Sequence, residues 1–144
     1  MGSSAAGLPS TGSPASQGGA TNQPNFIEEP ATYVFNYTLN ALQAVTRVAV
    51  NIDRDSDFLL TGINGISTGG YTLNVRLPSG RLIASQQMIN TQFVSNAPNQ
   101  PTAIGPPPIY RAGSTGPELD LTDTSNASNT LQIIFSGLRR LRTA

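Results

Sequence analysis

The chain has 144 residues and no net formal charge, its eight basic residues all arginine, and it lacks lysine, histidine, cysteine and tryptophan altogether. That composition excludes disulfides and thiolate metal sites, and it removes the side chains that hydrolytic and group-transfer enzymes most often recruit at neutral pH. A charged fraction of 11% with no excess of either sign gives no general attraction to nucleic acid or to an anionic membrane.

Residues 1–25 are Gly, Ser, Ala, Thr, Pro, Gln and Asn, with no charge and with Leu8 as the one large apolar residue after the initiator. Such a stretch buries too little to offset the entropy of ordering it, so it reads as an extended N-terminal arm that orders only on a partner. Met1–Ala6 has neither the charged start nor the apolar run of a secretory signal, and synthesis in the cytoplasm is expected. No run reaches the roughly 18 apolar residues of a bilayer span, so no membrane partner is expected.

The body is expected over residues 26–144. Phe26-Ile27-Glu28-Glu29-Pro30 reads as the anchor where the arm meets it. Tyr33, Phe35, Tyr37 and Leu39 alternate with Thr32, Val34, Asn36 and Thr38, which predicts a strand with an aromatic inner face. Val48, Val50 and Ile52 alternate in a second strand. Phe58–Ile63 is a short apolar run followed by a glycine-rich stretch, Asn64–Gly70, that reads as a flexible loop. Tyr71–Leu77 is the clearest half-buried strand, with Thr72, Asn74 and Arg76 on its wet face, and Pro78-Ser79-Gly80 supplies a hairpin turn toward Arg81-Leu82-Ile83.

Residues 84–100 hold one weakly patterned strand, and Pro98–Pro108 an extended proline-rich connection. Ile109-Tyr110 opens a short edge strand, Leu119–Leu121 alternates again, and Thr130–Phe135 is a final β-branched strand. About eight short strands without an amphipathic helix predict an all-β fold, an antiparallel β-sandwich of jelly-roll type.

No constellation carries obvious chemistry. Asp53, Asp55 and Asp57 alternate like the opening of a calcium loop, but Phe58 stands where that loop needs glycine and Asn64 where it needs glutamate, so a solvated turn balanced by Arg54 is expected. Glu118, Asp120 and Asp123 read as turn and edge residues. No catalytic residue, cofactor or metal site is assigned. Arg139, Arg140 and Arg142 form the one cluster of positive charge, too narrow for a nucleic-acid face. With Leu8, Pro24, Phe26 and Ile27 they are the candidate partner-binding residues.

Taken in order, Asp57–Ile63, the Ser79-Gly80-Arg81 turn, the proline-rich stretch leading to Tyr110–Ser114, and Asn129–Arg140 resemble small structural proteins of tailed bacteriophages, those of the capsid decoration or cement type. The resemblance covers most of Asp53–Arg140 and stops short of the arm. It implies a virion component on the capsid exterior. Its partner would be the major capsid protein and it would act as a homo-oligomer, trimer or dimer, clamping neighbouring subunits without catalysis. The alternative is a receptor- or glycan-binding module of a tail, neck or fibre, with Tyr33, Tyr71 or Tyr110 stacking on sugar.

Overall fold

The structure, a computed structural model, describes residues 26–97 and 100–142. The strands are β1 (Phe26–Leu39), β2 (Ala44–Asn51), β3 (Ser56–Ser67), β4 (Tyr71–Arg76), β5 (Met88–Ile89), β6 (Thr102–Ala103), β7 (Ile109–Tyr110), β8 (Thr115–Asp123) and β9 (Asn129–Arg142). A single helical turn, α1 (Asn90–Phe93), follows β5. One sheet runs β1-β9-β3-β6, with β7 also on β3, and the other runs β2-β8-β4-β5. The ladders within both are antiparallel.

Successive strands therefore cross from one sheet to the other, except β4 to β5 and β6 to β7, and the first described strand lies beside the last. That is the double Greek-key wrapping of a jelly roll, with one of its eight strands split into β6 and β7. The two sheets close on a common core. Phe35, Leu39, Phe58, Leu60, Ile63, Leu131, Ile133 and Phe135 from one meet Tyr71, Leu73, Val75, Leu119 and Leu121 from the other, all buried. The Tyr110 hydroxyl crosses the gap and donates to the Arg76 carbonyl at 3.0 Å. Burial of the phenol pushes its pKa up, and Tyr71 is likewise pushed up to about 12 by burial.

Several expectations are corrected. The glycine-rich stretch is not a loop up to Gly70, because β3 continues through Ser67. Gly65 lies so close to β9 that a Cβ would meet the Gln132 carbonyl. β9 continues past Ser136-Gly137 to Arg142 through a register shift against β3. The 78–80 turn forms, with Gly80 at φ +89, but its return arm is a single bridge, Arg76 to Leu82. The face of β4 expected to be wet is partly covered, since Asn74 is 1% exposed and donates to the Ala84 and Gln86 carbonyls. Asp120 is not an edge residue: it lies on β8, inside its sheet, and is paired with Arg76. The Asp53 carboxylate pairs with Arg139.

Candidate interaction face

The register of β1, β9 and β3 sets out the outer surface of the first sheet row by row. On β1 the inward set is Ala31, Tyr33, Phe35, Tyr37 and Leu39, which leaves Pro30, Thr32, Val34, Asn36 and Thr38 pointing outward. Across the sheet these meet Leu138, Ser136, Ile134, Gln132 and Thr130 of β9. Beyond β9 the rows continue to Leu59, Gly62, Asn64 and Ile66 of β3, where Leu59, Gly62 and Asn64 are buried and Ile66 alone of the four is exposed. Every side chain in these five rows is uncharged. Val34 is 46% and Ile66 65% exposed, and the Gln132 amide donates to Asn36 at 3.0 Å.

Five rows along β1 span about 26 Å, and the accessible pair β1–β9 is about 10 Å across with side-chain width, so the face is roughly 250 Å² in plan. Its far border is a charged row, Glu28–Arg140–Asp57. Arg140 Nη2 pairs with Glu28 Oε2 at 2.8 Å and the guanidinium stands 5.3 Å from the Phe26 ring centroid. On the inward side of the same corner Arg139 bridges Glu29 and Asp53, each at 3.4 Å. Beside them the Tyr33 hydroxyl accepts the Asp53 N–H at 3.2 Å, and burial first, with the Asp53 charge behind it, raises the Tyr33 pKa.

The structure thus brings Phe26, Ile27, Arg139 and Arg140 together at one corner, as the ends of the β1–β9 pair. Phe26 and Ile27 are 42% and 53% exposed, so the anchor is not sunk into the body. Arg139 and Arg140 face carboxylates of their own chain, which replaces the expected free cationic cluster with local ion pairs. Arg142 closes the ladder opposite Phe26. Leu8 and Pro24 lie outside the described residues.

The second sheet differs. Its outer surface carries Arg47 paired with Glu118 at 3.1 Å and Arg76 paired with Asp120 at 3.0 Å. At one end of the sandwich a groove of about 450 Å³ opens between the turn after β3 and α1. Its lining includes Ser67, Thr68, Asn90, Thr91, Ser95 and Asn96 and no carboxylate or guanidinium, so it offers neither charge nor an acid–base pair. Among the described residues no group of three or more carboxylates is placed to share a metal ion.

The tyrosines proposed for sugar stacking are corrected too. Tyr71 and Tyr110 are 1% and 2% exposed, and Tyr33 packs edge-to-face on Phe58 at 4.8 Å. Tyr71 and Tyr110 therefore present no ring to solvent, and Tyr33 is half-buried. The residues that sequence reasoning passed over are Val34, Ile134 and Leu138. The signal was present in β9, where both alternating sets, Leu131-Ile133-Phe135 and Gln132-Ile134-Ser136, are free of charge.

Comparison of the chain with protein-family models, with characterised proteins and with solved structures finds no match in any of the three.

Proposed function

We propose that this protein is a structural component of a tailed-bacteriophage virion that binds the capsid exterior and bridges neighbouring copies of the major capsid protein. The observation that carries this reading is the uncharged outer face of the β1-β9-β3 sheet. It is about half apolar and bordered at one end by an ion pair made within the chain, Arg140 with Glu28. Two of its three strands, β3 and β9, contain two of the four stretches that carry the phage resemblance. The jelly roll is a scaffold of viral capsid and lectin domains and of cupins, which agrees with the reading but cannot carry it, since one fold hosts many functions.

Magnitude shapes the mechanism. A stable pairwise interface takes about 800 Å² from each partner, and this face supplies about a third of that. One contact would be weak, and retention on a shell would come from many linked contacts at high effective concentration. No reaction is required.

The test is a binding titration on undecorated, expanded phage heads. The unaltered protein binds; Ile134→Lys, which places a charge at the centre of the face from an interior strand, weakens binding by at least about tenfold. Thr72→Lys on the opposite sheet leaves it unchanged. Failure of the unaltered protein to bind, or equal binding by Ile134→Lys, ends this reading.

A further inference from the structure

The two sheets have four lateral edges, and three of them are blunted. β5 is two residues long, and so are β6 and β7. β2 is interrupted by register shifts between Val45 and Val48 and between Ala49 and Asn51, with Arg47 at φ +57 inside the first. Short strands, bulges and exposed charge are the devices by which sheets avoid pairing with other chains. β1 is built differently. Its 14 residues pair with β9 in unbroken register, and among the described residues no strand pairs with its other side.

The groups this edge presents follow from the ladder. Thr68 N–H donates to the Thr130 carbonyl at 3.0 Å, so Thr130 and the alternate residues of β9 turn their backbone groups toward β3. The intervening ones, Leu131, Ile133 and Phe135, turn toward β1. Opposite them stand Tyr37, Phe35 and Tyr33. The even-numbered residues of β1 therefore aim N–H and C=O at the open side. Pro30 falls in this set, where its missing N–H leaves no ladder bond unmade. After Pro30, the residues Thr32, Val34, Asn36 and Thr38 each present a donor and an acceptor, and no charge lies between Pro30 and Leu39.

We propose that β1 of a second copy completes this edge, antiparallel, about a twofold axis passing beside Phe35. Thr32 then pairs with the partner subunit's Thr38, and Val34 with the partner subunit's Asn36. In that register every donor from Thr32 to Thr38 meets an acceptor. Pro30 and both glutamates, Glu28 and Glu29, fall outside the paired segment, so like charges never face each other. Self-complementarity of this kind is what an isologous contact requires. The pairing also joins the uncharged faces of two copies into one surface of roughly 500 Å² in plan, more than half of what one side of a stable interface needs. It does not rest on the capsid reading, because it is decided in the isolated protein.

Sedimentation equilibrium of the full chain tests it, with Val34→Pro as the variant. The Val34 N–H makes no bond to β9, so proline there leaves the sandwich intact while removing one inter-copy bond from each side. The expected result is a dimer for the unaltered chain, and a dissociation constant raised about tenfold or more in Val34→Pro, with an unchanged circular dichroism spectrum. Should Val34→Pro fold poorly, amide exchange in the unaltered protein decides. The Thr32, Val34, Asn36 and Thr38 amides become protected as concentration rises, while those of the β9-bonded residues are protected throughout. A monomer at all concentrations, a Val34→Pro dimer of undiminished strength, or dimerisation seen only after removal of Met1–Pro24 would each overturn the proposal. The last outcome would mean that the chain's own N-terminal residues occupy the edge.

Discussion

At Gly137 the sheet has no room for a side chain. β9 slips its register against β3 between Ser136 and Gly137, and a Cβ at this position would land on the Leu59 carbonyl and press on the Phe58 ring. Gly137→Ala must push two interior strands apart, and the expected loss is about 2–4 kcal/mol of unfolding free energy, read from urea denaturation. Asp123, at the end of β8, works by hydrogen bonding instead. Its carboxylate accepts from the Ser125 hydroxyl at 2.6 Å, from the N–H groups of Leu42, Ser125 and Asn126, and from the Asn129 amide. Those donors, Ser125 foremost, hold its pKa well below the ordinary 3.8. A carboxyl depressed in the folded state adds stability that is complete above its unfolded pKa and fades as pH falls through the folded one. Asp123→Asn should therefore be less stable than the unaltered protein at pH 7. The difference should narrow as the medium is acidified below about pH 4, measured by thermal melts across that range.

The elements show how far the sequence could be read. Alternation located β4 and the Thr32–Leu39 part of β1, because one face of each meets the core, but it reached only Leu119–Leu121 of β8 and missed that β1 begins at Phe26. It failed where glycine was taken as punctuation. Gly65 and Gly137 mark close approach of backbones inside a sheet, so β3 and β9 are both longer than their apolar runs suggest. The interaction corner was legible only by halves. Glu28, Glu29 and the arginine pair are visible as clusters, but they lie more than a hundred residues apart, and only the β1–β9 register shows that they neutralise each other. These pairs sit at partly exposed positions, so Arg140→Ala should cost no more than about 1 kcal/mol in a denaturation curve. The tie between the sheets has a clearer signature. Tyr71 and Tyr110 hold their protons more tightly folded than unfolded, a contribution complete below pH 10 and lost as pH rises past it. The tyrosinate absorbance of these two residues should appear together with unfolding, followed by alkaline titration against circular dichroism.

For the molecule as a whole, the separation of an uncharged face from charge that is paired elsewhere predicts how attachment responds to salt. If the β1-β9-β3 face makes the contact, raising ionic strength from about 0.05 to 0.5 M should change shell affinity less than about threefold, since screening has little to act on. A steep fall with salt would move the contact to the arginine-bearing corner.

The pairing of β1 with β9 also governs when this molecule can come into being. Phe26 lies opposite Arg142 and Leu39 opposite Asn129, so the first described strand has no partner for its inner edge until β9 has been synthesised. Among the described strands β9 is its one neighbour in the sheet, since β3 lies on the far side of β9 and β2, β4, β5 and β8 form the other sheet. The sandwich is therefore expected to close only after β9 is made, and to fold slowly for its size, as nonlocal pairing implies. A nascent chain stalled after Ser136 should remain protease-sensitive throughout, whereas a circular permutant joining Arg142 to Phe26 by a short linker and opened in the 78–81 turn should fold faster than the natural order. Limited proteolysis of stalled chains and stopped-flow refolding of the permutant would measure the two effects.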